Sequence, residues 1–424
     1  MPNCQTLVAD QPRAVAAQNL DNQELTRPSE RKPAWQTWLG VLAAVLAVYL
    51  FVAGINVMGH GLKIVAGVPS SKAVLDSIYH LADNPFAGVC FGVLLTSLVQ
   101  SSSFTTTFTV GLVAAGQMPL STAVFVIMGA NIGTSVTNTL VSLAHLRRRK
   151  EFERSLAAAT VHDFFNFLNV LLLMPLEWAF GVIHRPAEWM SEALGGAIFF
   201  SSANPKKFNF IKTAVKPISN GFDWLLGDVL GLTATARGLI TAALAVVILF
   251  AALAMLVKIL RGMMKDRLAG LFSKTLFRSQ PVSFMVGLFT TAAVQSSSVT
   301  TSLAVPLVGA GVLKIRQIFP YTLGANIGTT ITAMLGALAL SALAACQQSA
   351  EVKMAASFAL AVAFAHLLFN VFGTMVFLPL KWIPISLAKG FARLASRQRV
   401  LAAAYILLVF FVMPALVILA VNFL

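Results

Sequence analysis

Thr96-Ser-Leu-Val-Gln-Ser-Ser-Ser-Phe-Thr-Thr106 returns 195 residues later as Thr291-Ala-Ala-Val-Gln-Ser-Ser-Ser-Val-Thr-Thr301. The same offset carries Gly129-Ala-Asn-Ile-Gly-Thr134 onto Gly324-Ala-Asn-Ile-Gly-Thr329, and Thr137 onto Thr332. Farther along the offset becomes 204. It then pairs His162-Asp-Phe-Phe-Asn166 with His366-Leu-Leu-Phe-Asn370, and Pro175-Leu-Glu-Trp178 with Pro379-Leu-Lys-Trp382. Two polar motifs recurring in one order at one offset are not a chance match, so the chain contains an internal duplication.

Each QSSS cluster interrupts an uncharged stretch, 85–116 or 280–313, and leaves about 15 residues on either side. Spanning a bilayer takes ~20 residues, so each stretch reads as a re-entrant hairpin with the polar cluster at its tip. Backbone that leaves the helix at membrane depth is tolerated only where protein or a wet cavity surrounds it. Full-length apolar spans are expected at 36–57, 118–146, 155–183, 237–260, 317–343, 352–380 and 400–424. Composition agrees. The 424 residues are 57% hydrophobic and 11% charged, against about 25% charged in soluble domains, which excludes an ordinary soluble enzyme. Cys4, Cys90 and Cys346 lie far apart, with neither a disulfide framework nor a Cys/His metal spacing.

The net charge of +15, from 31 Lys+Arg and 16 Asp+Glu, would suit a nucleic-acid binder if it formed a patch. It does not, and no nucleic-acid partner is expected. With the N-terminus inside, 22 of the 31 basic residues fall in cytoplasmic segments, among them Arg147, Arg148, Arg149 and Lys150. Short loops rich in Lys and Arg mark the cytoplasmic side. The expected organisation is a cytoplasmic tail at 1–34, a first transmembrane repeat at 35–183 and a long external loop at 184–236. A second repeat at 237–383 follows, then a cytoplasmic linker with a C-terminal span at 384–424. Three crossings separate equivalent points of the two units, and an odd number inverts one relative to the other. The expected fold is an all-α polytopic membrane protein with two inverted-topology repeats, each with a re-entrant helical hairpin and a broken helix. Such repeats point to a secondary transporter with a site near the bilayer midplane.

The motifs suggest the chemistry of that site. A helix broken at QSSS presents backbone N–H groups at a helix N-terminus, where the dipole favours anions. Gln100, Ser101, Ser102 and Ser103, with Gln295, Ser296, Ser297 and Ser298, add side-chain donors. Hydroxyls also accept, so the same clusters can hold a hard cation such as sodium. Carbonyls freed by unwinding of Gly-Ala-Asn-Ile-Gly would suit that ion. The bland readings are threonines and serines bonded back to the i−4 carbonyl, and Gly129-x-x-x-Gly133 as a small-residue helix-packing seam. His162, Asp163 and Asn166 are ionisable or polar groups within a span, functional suspects for ion or proton coupling. The His/Asn pair reads equally as a buried strut, and Asp163 equally as a structural partner. Glu177 is expected at a membrane edge, reaching for water.

As a set, the two QSSS motifs, the two GANIGT motifs and Ala157-Ala-Ala-Thr-Val-His-Asp-Phe-Phe-Asn166 resemble the type II sodium-dependent phosphate cotransporters, over residues 36–420. The resemblance implies sodium-driven uptake of inorganic phosphate by alternating access, with no cofactor beyond sodium as coupling ion. It implies phosphate at Gln100–Ser103 and Gln295–Ser298, with Asn131, Thr134, Asn326 and Thr329 as ion ligands. Thr105, Thr106, Thr137, Asn166, Thr300, Thr332 and Asn370 complete the sodium candidates. The 184–236 segment has no cysteine and no glycosylation sequon, unlike vertebrate members, which fits a protein of the bacterial inner membrane. Position 145 onward reads His145-Leu-Arg-Arg148, which bears on the number of sodium sites. The alternatives are a proton-coupled oxyanion carrier using Asp163 or His162, and a passive anion channel. A serine hydrolase lacks its Gly-x-Ser-x-Gly elbow. No feature specifies an oligomeric state.

Overall fold

The computed structural model describes residues 84–114, 117–200, 210–245, 279–345 and 350–423, with isolated positions between 39 and 68 and between 247 and 255. The expected tail at 1–34 and the basic segment 258–278 lie outside the described residues, and the expected spans 36–57 and 237–260 are described only in part. Helices and turns account for the described secondary structure, with no strand among them. The chain is all-α. Four helical segments among the described residues are long and apolar enough to cross a membrane: Leu120–His145, Arg149–Phe180, Lys353–Phe377 and Val400–Val421.

The first QSSS stretch is two helices, α1 (Pro85–Val99) and α2 (Ser102–Ala114). Asn84 starts α1 by accepting from Phe86 N at 2.9 Å and Ala87 N at 3.3 Å, with Pro85 opening the helix. Then follow α3 (Leu120–Thr134), α4 (Val136–Ser142), the long α5 (Arg149–Phe180), α6 (His184–Phe200) and α7 (Phe210–Asp223). The second stretch repeats the pattern as α8 (Gln280–Val294) and α9 (Ser297–Gly309), again entered through a Ser279 cap and a proline. It continues with α10 (Ile315–Ala345), α11 (Ala350–Phe377) and α12 (Trp382–Arg397). The last rod comprises α13 (Val400–Leu407), a π-helical turn at Leu408–Val412 and α14 (Met413–Phe423).

The expected unwinding of GANIGT does not occur. Both copies are helical, inside α3 and inside α10. Only the first copy is followed by an interruption, at Ser135, whose hydroxyl and amide both turn back to Ile132 O. The glycines serve packing instead. A Cβ on Gly92 would collide with Val126 O, and one on Gly129 with Val89 O. Their counterparts Gly287 and Gly324 are pressed against Tyr321 O and Phe284 O. Helix backbones this close gain dispersion and Cα–H···O contacts, and so α1 is seated on α3 and α8 on α10.

The two units interlock through their long helices. Asn169 of α5 donates to Phe369 O at 3.0 Å and stands against Gly373 of α11, which is its own counterpart at the 204 offset. The helix after each long helix packs on the other unit's long helix, α6 on α11 and α12 on α5. Ser191 joins Ser357 by hydroxyls 3.0 Å apart, and Ser396 donates to Glu153 Oε2 at 3.4 Å. Glu177 does not reach for water. It is 2% exposed, accepts from Ile183 N at 2.7 Å and meets His184 Nδ1 at 2.6 Å. A carboxylate at the first amides of α6 satisfies otherwise orphaned donors and meets the favourable end of the dipole.

Candidate functional site

The hairpin tips carry the most unusual backbone in the described chain. Gln100 sits at φ 56° and ψ 32°, and Gln295 at φ 54° and ψ 31°. Among the described residues they alone have positive φ without being glycine. A left-handed residue with a Cβ costs about 1–2 kcal/mol, and such strain persists where the surrounding contacts determine it. Those contacts recur. Gln100 N and Gln295 N each bond the carbonyl of a threonine four residues back, at 2.6 Å. The Thr96 and Thr105 hydroxyls meet at 2.7 Å, as do those of Thr291 and Thr300. Each pair ties the two limbs of a hairpin just behind its tip.

Beyond each tip a new helix begins. Ser101 Oγ accepts from Phe104 N at 3.2 Å and Ser296 Oγ from Val299 N at 3.4 Å. The first amides of α2 and α9 have no intrahelical acceptor, so each tip exposes the positive end of a helix. Ser102, Ser103, Ser297 and Ser298 are buried there, as is Gln295, whereas Gln100 is exposed. The second hairpin reaches the first unit directly, with Ser298 Oγ donating to Thr134 O at 3.3 Å.

Behind the tips a buried polar chain crosses between the units. Thr301 donates to Asn138 Oδ1 at 3.0 Å, and Asn138 Nδ2 lies 3.3 Å from His162 Nδ1. His162 Nε2 reaches Asn326 Oδ1 at 2.6 Å, which assigns the proton to Nε2. Asn326 Nδ2 donates to Asn166 Oδ1 at 3.0 Å, and Asn166 Nδ2 to Asn131 O at 2.7 Å. Every side chain in this chain is at most 4% exposed. At the position next to His162, Asp163 Oδ2 accepts from Tyr405 OH at 2.8 Å and from Thr139 Oγ1 at 3.3 Å, while Oδ1 has no hydrogen-bond partner among the described residues.

The sodium candidates divide into two groups. Thr134 and Thr329 bond back to the carbonyls of Ala130 and Ala325, and Asn131 Nδ2 to Ile127 O. Thr105 and Thr300 lock the hairpins. Asn166 and Asn326 belong to the polar chain. By contrast, the hydroxyls of Thr106, Thr137 and Thr332 and the Oδ1 of Asn370 are buried without a partner among the described residues, as a ligand oxygen would be. Sequence reading missed Asn138, Thr139 and Tyr405. Asn138 and Thr139 face Ala333 and Met334 at the 195 offset, and Tyr405 follows both units, so a search for repeated residues passes over all three.

The sequence profile described as Na+/Pi-cotransporter matches residues 50–184 and 224–384, and each segment holds one QSSS and one GANIGT copy. The chain is 33% identical over 430 residues to sodium-dependent phosphate transport protein 2A of Rattus norvegicus, covering 87% of this chain and 66% of that protein. Identity to the 2A protein of Ovis aries is 32%, over 93% of this chain and 71% of that one. To the 2B protein of Homo sapiens it is 31%, over 86% and 63%. The chain thus spans about two thirds of the length of these relatives. No solved structure matches it. With its helical segments long enough to span, it is a multi-pass membrane protein, and it belongs to the type II sodium-dependent phosphate cotransporter family, a family of transporters and not of enzymes.

Proposed function

We propose that this protein couples inward movement of inorganic phosphate to the sodium gradient by alternating access, in the inner membrane of a bacterium with its N-terminus in the cytoplasm. The two units, 35–183 and 237–383, are inverted about the segment 184–236, and their hairpin tips form one shared site. The observation that carries this reading is the recurrence of a strained left-handed glutamine at both tips, each followed by the open end of a helix. Backbone amides and the Gln100–Ser103 and Gln295–Ser298 side chains would hold the anion without any Lys or Arg. Uncharged donors bind phosphate while leaving room for sodium to neutralise it. An anion and cations moved together shed much of each other's desolvation cost.

Asp163 is the coupling residue in this scheme. It is fully buried, and none of the described ion pairs includes it. A buried carboxylate without a cationic partner needs a proton or a metal ion, and its Oδ1, without a partner among the described residues, offers the place. The oxygens of Thr106, Thr137, Thr332 and Asn370, unpartnered among the described residues, are the remaining sodium ligands. His162 holds the frame and does not relay a proton, since both its nitrogens are engaged with asparagines.

Phosphate flux into proteoliposomes at controlled membrane potential tests the proposal. Uptake is expected against a phosphate gradient with external sodium and not with choline. Ser102→Trp and Ser297→Trp are each expected to abolish it while the protein still inserts. Uptake driven by a pH gradient alone, or normal uptake in both variants, would overturn the coupling or the site respectively.

A further inference from the structure

Tyr405 lies on α13, outside both duplicated units, and yet makes the shortest hydrogen bond to Asp163. Its ring is held on two sides, by Phe391 of α12 at 4.7 Å and by Phe410 of the π-helical turn at 5.8 Å. The π turn Leu408–Val412 follows directly. Such a turn shifts the side-chain register of a helix and recurs at functional positions. Beyond it, α14 packs against α1, the first limb of the first hairpin. One helix therefore touches both the buried carboxyl and the arm that carries Gln100.

A carboxylate has about four acceptor positions on two oxygens. Tyr405 and Thr139 donate to Oδ2 from opposite elements, α13 and α4, while Oδ1 has no hydrogen-bond partner among the described residues. Ser135, at the interruption between α3 and α4, sits beside the same carboxyl with its own hydroxyl given to Ile132 O at 2.7 Å. A carboxyl held through one oxygen cannot rotate, so the other keeps a fixed direction. We propose that Tyr405 is the positioning residue for a monovalent-cation site at Asp163 Oδ1, and that the C-terminal helix is thereby part of the sodium-coupling apparatus. The assignment rests on the sodium-coupled reading given above. Nothing in the second unit parallels it, since Leu367 stands opposite Asp163.

Tyr405→Phe removes the donor and keeps the ring between Phe391 and Phe410. In proteoliposomes it is expected to raise the sodium concentration for half-maximal phosphate uptake about tenfold, as loss of a hydrogen bond to a charged group would. The maximal rate and the phosphate half-saturation at saturating sodium stay within about twofold. Thr139→Val removes the longer Oδ2 bond without touching the C-terminal helix, and shifts sodium activation the same way by less. In an Asp163→Asn background Tyr405→Phe is expected to have no further effect. A second measurement needs no transport: the sodium-induced rise in melting temperature of purified protein without phosphate, with choline as control. It should be largest in the wild type, smaller in Tyr405→Phe and absent in Asp163→Asn. Sodium activation and thermal shift equal to wild type in Tyr405→Phe would overturn the assignment, as would a full effect of Tyr405→Phe in the Asp163→Asn background. Phosphate uptake that ignores sodium, with the graded thermal shift intact, would overturn the transport reading and leave the cation site standing.

Discussion

The two units share their backbone design and differ in their wiring. Hairpins, left-handed glutamines, threonine locks and glycine seams recur at the 195 offset, residue for residue. The polar chain does not. In the first unit His162 has both ring nitrogens engaged. In the second, His366 is 1% exposed and neither of its ring nitrogens has a partner among the described residues. The cause is visible in three substitutions between the copies. Asn138, Thr139 and Asp163 face Ala333, Met334 and Leu367. With alanine where asparagine stands in the first unit, His366 loses one neighbour and Thr106, the counterpart of Thr301, loses its acceptor. Under the proposed function, two copies build one symmetric cradle for an anion while only the first carries an acidic group, Asp163, for a cation. In the proposed function, symmetry serves the part that both faces of the membrane must see, and asymmetry gives the coupling ion its own address.

The shared part should break alike in both copies. Gly129→Leu and Gly324→Leu each drive a branched side chain into a facing carbonyl on a rigid helix, Val89 O or Phe284 O. Overpacking of this kind costs about 1–3 kcal/mol and occasionally more, and backbone contact on both sides leaves little room to relax. Both variants are expected to lose the monodisperse folded peak in size-exclusion chromatography of detergent extracts. A folded, transporting Gly324→Leu beside a lost Gly129→Leu would show that the seams are not equivalent.

The wiring should break in one copy alone. His162→Leu strands Asn138 Nδ2 and Asn326 Oδ1 inside the protein, at about 1–3 kcal/mol for each orphaned group. His366→Leu removes an imidazole without polar partners among the described residues, replaces it with a side chain of similar bulk, and is expected to be neutral or mildly stabilising. Melting temperatures of the two variants in one detergent measure the difference. Equal losses would mean that His366 is held by something other than protein groups.

The shared and the private features were not equally legible in the sequence. The QSSS hairpins could be read because 15-residue limbs are too short to span and because both copies say so. The glycines were ambiguous. GANIGT reads equally well as an unwound ion site or as a packing seam, and only the opposing carbonyls of Val89 and Phe284 decide for the seam. Glu177 was misread because its partner amides, at Ile183 and His184, come from a helix that starts after a left-handed Gly181, a turn that hydropathy does not reveal. Asn138, Thr139 and Tyr405 stayed hidden for a different reason. Repetition was the signal, and these residues matter because they are not repeated. Tyr405 is also brought to Asp163 across 242 positions of chain, a distance that no local pattern spans.

The smallest effect probes the same contrast at its finest grain. Thr301 Oγ1 shares its one proton between Ser297 O at 2.6 Å and Asn138 Oδ1 at 3.0 Å, so Thr301→Val takes a donor from both and should lower stability by about 1 kcal/mol. Thr106 is equally buried, but its hydroxyl has no partner among the described residues. Valine has nearly the same shape, so Thr106→Val removes an unsatisfied group and leaves the melting temperature unchanged or slightly raised. Stability and sodium dependence then separate two explanations for that hydroxyl. If its oxygen serves the ion, Thr106→Val weakens sodium activation of phosphate uptake in a protein that is no less stable. If both quantities hold at their wild-type values, Thr106 is only what remains of the wiring after Asn138 became alanine in the other copy, and the sodium ligands lie elsewhere. A threonine that costs stability and gains nothing in transport has no physical reason to stay buried, so the first outcome is the expected one.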